Sequence, residues 1–295
     1  MGKPVSLSRA RGRRKRLAEA AHEHAATTNR QYAVALARAF AGALIFCLPL
    51  FMTMEMWWLG FYLEPWRLML FAVANMAVLY GLAHVAGFEE AHDWQDDILD
   101  AFAAYFVASL TSAAVLWLVG AIRPHMTPAE VAGMITIQTV PASFGAMIGA
   151  KLMGEGEEIE QTEHWRDTYA GQLFLFLAGA LFLSFTVAPT EEIILVAFQM
   201  NPWQSLAMVM VSVALLHAIL YVVHFHGQEK RFSDTHRRAL LRQTLPGYAI
   251  ALLASVCILW SFGRLDGLHI GHAAMVTVVL AFPAAIGAGI ARIVV

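Results

Sequence analysis

The sequence predicts an all-α integral membrane protein of eight transmembrane helices, built as two four-helix repeats in parallel orientation. Three observations predict it. Of the 295 residues, 59% are hydrophobic and 14% charged, whereas an ordinary soluble domain is about 45–50% apolar and about 25% charged. The apolar residues gather into eight runs, each long enough to cross a bilayer. The chain also matches itself when displaced by 137 positions.

The runs lie near Ala39–Tyr62, Leu68–Phe88, Ile98–Ile122, Pro128–Met153, Gly171–Phe198, Trp203–Phe225, Leu245–Phe262 and Ile270–Arg292. At 1.5 Å of rise per residue each spans a hydrocarbon core of about 30 Å with some tilt. Ahead of them, residues 1–31 form a basic, polar leader with Arg9, Arg11, Arg13, Arg14, Lys15 and Arg16, expected to touch anionic lipid. The first apolar run is too long for the core of a cleavable signal peptide.

The displacement defines the repeat. It sets Thr53-Met54-Glu55 on Thr190-Glu191-Glu192, Ala41-Gly42-Ala43-Leu44 on Ala178-Gly179-Ala180-Leu181, Phe61 on Phe198 and Pro65-Trp66 on Pro202-Trp203, without a gap from Ala41 to Phe88. After a small change of register, Tyr105 and Trp117 meet Tyr248 and Trp260, and the segment from Pro141 to Ala146 meets that from Pro283 to Ala288. The units are residues 32–165 and 166–295. An even number of crossings per unit puts both copies in the same orientation, with their pseudo-two-fold axis along the membrane normal. Small residues at Ser143, Gly145, Gly149, Gly287 and Ala291 are read as close helix contacts.

Orientation follows from the cations of the short loops. The leader and the loop His226–Gln243, with Lys230, Arg231, Arg237, Arg238 and Arg242, fall on one side. The expected location is therefore the bacterial inner membrane with both termini cytoplasmic. The opposite loops, including Gly263–His269, are short and poor in cations. Two further cytoplasmic loops, 89–97 and 155–163, are acidic but carry no EF-hand spacing.

Ionisable groups inside apolar runs mark the candidate site. Glu55 and the pair Glu191 and Glu192 lie about 7–10 Å outward of the middle of their runs, and an intramembrane carboxylate is a functional-site hypothesis by default. Pro49 and Pro189 precede them and free backbone carbonyls. A freed carbonyl, the hydroxyls of Thr53 and Thr190, and a carboxylate are oxygen ligands for a small cation. Glu55 and Glu192 are expected to approach each other across the pseudo-axis, where low dielectric lets the pair hold a proton or exchange it for an ion. Snorkelling to an aromatic belt at Trp57, Trp58, Phe61 and Tyr62 is the plainer alternative for Glu55. Cys47 and Cys257 read as packing residues. No Walker loop or dinucleotide fingerprint is present, so no cofactor is expected. Basic residues are not interleaved with aromatics, which argues against nucleic acid as a partner.

Over nearly its whole length, with its repeated Thr-x-Glu and Pro-Trp steps, the chain resembles an uncharacterised family of bacterial integral membrane proteins, a resemblance that implies no activity. Locally, Ala188-Pro189-Thr190-Glu191-Glu192-Ile193 followed by Leu215-Leu216-His217 is similar to the CAAX-protease and bacteriocin-processing family. That similarity implies an intramembrane hydrolase with Glu191, Glu192 and His217 as its catalytic set. The family's arginine and phenylalanine positions are held here by Val196 and Val213. The leading expectation is not an enzyme. It is a multi-pass protein that moves a small cation, with proton coupling, as carrier or channel, at Glu55, Glu191, Glu192, Thr53 and Thr190. The hydrolase is one alternative and a structural or sensory membrane protein the other. The lipid bilayer is the expected surrounding, and a homodimer would ring four carboxylates about a pore.

Overall fold

The computed structural model describes residues 32–86, 94–152, 168–227 and 240–294, and among them every regular element is helical. The basic leader, most of both acidic loops and most of the basic loop lie outside the described residues. In chain order the helices are α1 (Tyr32–Phe51), α2 (Met54–Tyr62), α3 (Pro65–Ala86), α4 (Trp94–Leu118), α5 (Pro128–Leu152), α6 (Tyr169–Val187), α7 (Glu192–Gln199), α8 (Pro202–Gly227), α9 (Leu245–Ser261) and α10 (Ile270–Val294). A π-helical turn, Leu240–Thr244, runs into α9. Eight of these segments are long and apolar enough to cross a membrane; α2 and α7 are the short exceptions.

Local chemistry sets the ends. Thr127 and Asn201 open α5 and α8 with reciprocal capping boxes. The Thr127 amide donates to Glu130 Oε2 (2.7 Å) and the Glu130 amide to Thr127 Oγ1 (3.3 Å). The Asn201 amide donates to Gln204 Oε1 (2.8 Å) and the Gln204 amide to Asn201 Oδ1 (2.9 Å). Each box satisfies two amides that the first turn leaves without partners. Pro128 and Pro202, whose missing amide is not needed there, take the first helical position. Thr168 caps α6 by accepting from the Gly171 amide at 3.1 Å.

The first and fifth apolar runs depart from expectation. Each was read as one continuous crossing, Ala39–Tyr62 and Gly171–Phe198. Each is instead a full-length helix, a break, and a short helix. The breaks fall at residues 52–53 and 188–191. Pro189, which has no amide to donate, sits inside the second, and Pro49 lies one turn before the first. Because α1 and α6 already supply twenty and nineteen residues, about 30 Å of rise, the Thr-x-Glu segments come where a crossing ends.

Packing is organised around α5 and α10. The α2, α3 and α4 helices pack on α5, and α6 to α9 pack on α10. The α5 span is the most enclosed of the eight, whereas the α8 span lies on the periphery. Glycine lets the backbones touch. A Cβ added at Gly42 would lie 2.3 Å from the Gly145 carbonyl oxygen and 2.6 Å from Gly149 Cα, and one at Gly179 would lie 2.2 Å from the Gly287 oxygen and 2.6 Å from Ala291 Cβ. Of the small residues singled out in the sequence, Gly145 and Gly149 are the contact points of α1 on α5, and Gly287 and Ala291 those of α6 on α10, as is usual where helices approach closely in membranes, whereas Ser143 accepts from Asn75 of α3. Gly42 and Gly179 are paired by the displacement of 137, and Gly145 and Gly287 by the alignment after the change of register. The two groups of helices meet through phenylalanines. Phe71 and Phe144 both stand edge-on to Phe185, at 5.7 and 5.4 Å, and Phe71 meets Phe262 at 5.4 Å.

Candidate functional site

The site is built at the two breaks, which lie at the end of the bundle far from the described N-terminus. At the first, Thr53 Oγ1 donates to the Pro49 carbonyl (2.8 Å), and Trp57 Nε1 donates to the Phe51 carbonyl (2.8 Å). Gln138 of α5 reaches across and donates from Nε2 to the Leu50 carbonyl (3.1 Å). At the second, Thr190 Oγ1 donates to the Val187 carbonyl (2.9 Å). The Pro189 carbonyl accepts from Arg264 Nη2. Carbonyls at both breaks therefore have side-chain donors, and both threonine hydroxyls spend their proton closing a turn. Thr53 and Thr190 shape the breaks, and their oxygens keep only lone pairs for a ligand.

Gln138 is fully buried. Replacing it with leucine should remove this bond between α5 and the first break, leave the Leu50 carbonyl with the Thr53 amide alone, and destabilise the protein by about 0.5–1.5 kcal/mol. Thermal unfolding in detergent, followed by loss of monodispersity, is the measurement.

The carboxylates occupy the N-terminal turns of the short helices. Glu55 is in the first turn of α2 and Glu192 is the first residue of α7. The partial positive charge of a helix N-terminus favours both. Glu55 is half-buried, and Glu191 and Glu192 are exposed. They do not stand alone, because Arg264 is delivered among them from the turn after α9. Gly263, at φ +68°, ends that helix, with its amide on the Trp260 carbonyl (3.0 Å) and the Arg264 amide on the Leu259 carbonyl (2.8 Å). The Arg264 side chain is only 16% exposed, and its Nη1 lies 3.8 Å from Glu191 Oε1. Burial pushes the guanidinium below its ordinary value, and Glu191, then Glu55, then Glu192 push it back up. Of the three carboxylates, Glu191 is the one at ion-pair distance from the guanidinium. Among the described residues, however, no three His, Cys, Asp or Glu side chains converge closely enough to hold a metal ion.

His217 is elsewhere. Its Nδ1 is 2.8 Å from Thr244 Oγ1, beside the first residue of α9, whereas Arg264 and Glu191 meet beyond its last. The seventeen residues of α9 separate these ends by about 25 Å. The structure does not bring together the set Glu191, Glu192 and His217.

Arg264 is the residue that sequence reasoning passed over. Its loop was read as poor in cations, and it lies 75 positions from Pro189, beyond any local spacing rule. The available signal was an arginine in a short loop on the side that the loop charges assign to the exterior.

No curated protein and no solved structure matches the chain. A family model described as "Putative integral membrane protein (DUF2391)" matches residues 6–295, and with its eight membrane-length helices the chain belongs to that family of multi-pass integral membrane proteins.

Proposed function

We propose that the protein moves a proton or a small monovalent cation across the bilayer, with Glu55, Glu191 and Glu192 receiving it and Arg264 as their resident counter-charge. The carrying observation is that each break opens a short helix with a glutamate in its first turn, Glu55 and Glu192, and that at the second break the Arg264 guanidinium stands 3.8 Å from Glu191. Three carboxylates and one arginine leave the group net negative when ionised, so it attracts cations. The absence of a three-ligand cage among the described residues favours a proton or a loosely held ion over a tightly coordinated divalent one, which takes six or more oxygens. In this reading the halves are parallel four-helix repeats, the glutamates face the exterior of a bacterial inner membrane, and both termini are cytoplasmic. The separation of His217 from Glu191 argues against the hydrolase.

The test is flux in proteoliposomes, with protons, sodium and potassium offered in turn. Glu192→Gln and Glu55→Gln should each lower flux roughly tenfold or more, and His217→Gln should leave it near native. Native-like flux in both glutamate variants, or none for any ion with folded native protein, would sink the proposal.

A further inference from the structure

Arg264 reaches its partners only if the loop that carries it is held, and a second arginine holds that loop. Arg67, in the first turn of α3, has a side chain only 15% exposed. Its Nη1 donates to Asp266 Oδ2 at 2.7 Å and to the Trp260 carbonyl at 3.2 Å, and its Nε lies 3.5 Å from Glu64 Oε2. The guanidinium also stands 5.5 Å from the ring of Trp66 and 5.3 Å from that of Trp260. Trp66 is itself fixed by donating from Nε1 to Glu64 Oε2 at 2.6 Å. Arg67 thus binds the last turn of α9 and the far side of the following loop at once. Arg264 lies between these two attachments.

The loop needs such a hold. Gly263 and Gly267 flank it at φ +68° and +73°, the left-handed region where glycine has most freedom. A Cβ at Gly263 would sit 3.4 Å from Asp266 Oδ2 and 3.6 Å from Arg67 Nη1, so the turn is folded tightly round the ion pair.

We propose that Arg67 is a positioning residue: by gripping Asp266 and the end of α9, it docks Arg264 on the Pro189 carbonyl and beside Glu191. The consequence for cation passage rests on the function proposed above, in that releasing the grip removes the counter-charge and alters how tightly the carboxylates hold a cation. The docking itself is testable without that function. A thiol beside a guanidinium ionises at lower pH, so alkylation of Glu191→Cys reports where Arg264 is. The experiment uses the full chain in detergent, with exposed Cys257 replaced by serine. The pH midpoint of maleimide alkylation at position 191 should rise by about one unit when Arg264→Gln is added. Adding Asp266→Asn or Arg67→Met should give most of the same rise. Arg67→Lys should fall between, because a single ammonium cannot reach Asp266, the Trp260 carbonyl and Glu64 together as the planar guanidinium does.

Should Arg67→Met fail to fold, Asp266→Asn, at a side chain 55% exposed, carries the test alone. A rise with Arg264→Gln but none with Asp266→Asn would overturn the proposal, since Arg264 would then dock unaided. No rise with Arg264→Gln would overturn it too, because Arg264 would not be beside position 191. Flux through Glu192→Gln is a separate readout, so a failed transport function and a failed grip give different results.

Discussion

Gly179→Ala should destabilise the protein by about 3 kcal/mol, and Gly42→Ala by a similar amount. A single methyl group is enough because what it meets is backbone. The new Cβ would be 2.2 Å from the Gly287 oxygen at the first site and 2.3 Å from the Gly145 oxygen at the second. No rotamer change relieves either overlap, so α6 must move off α10, or α1 off α5, and the neighbouring contacts open along the helix. Gly271→Ala is the control. Its Cβ would meet nothing nearer than His269 Nδ1 at 3.6 Å, and its effect should stay within about 0.5 kcal/mol. Thermal unfolding in detergent separates the three. Equal midpoints for Gly179→Ala and Gly271→Ala would show that the helices do not cross at this point.

Arg264→Ala should have the next largest effect, about 1–3 kcal/mol. The dominant part comes from the Pro189 carbonyl, which is buried and would lose its side-chain donor. The ion pair contributes less, because Glu191 is 81% exposed and exposed pairs are worth about 0–1 kcal/mol. Thermal unfolding in detergent is the measurement, and a midpoint equal to that of the native chain would mean that Arg264 does not hold the second break.

The sequence and the structure agree where the governing signal is local or repetitive. Eight crossings were legible because bilayer thickness fixes the length of an apolar run. Gly145, Gly149, Gly287 and Ala291 were legible as contacts because small residues on an apolar face have few other uses. The breaks were only half legible. Pro49 and Pro189 signalled released carbonyls, but the runs Ala39–Tyr62 and Gly171–Phe198 stay apolar through the interruption, so hydropathy joins what the backbone separates. Which side chains reach the carbonyls at the breaks was illegible. Gln138 and Arg264 arrive from helices and loops 88 and 75 positions away, and no spacing rule connects them. Glu191 and His217 show the reverse case: they are near in sequence, yet they lie beside opposite ends of α9.

The glycine crossings also bear on biosynthesis. In each group of helices the crossing joins the earliest span to the latest, α1 to α5 and α6 to α10. During insertion, α6 would leave the translocation machinery with its Gly179 face unmatched and keep it so until α10 follows. Closure of each group would thus wait for its final span, and a ribosome stalled before α10 would leave an inserted but open intermediate, a natural substrate for membrane quality control.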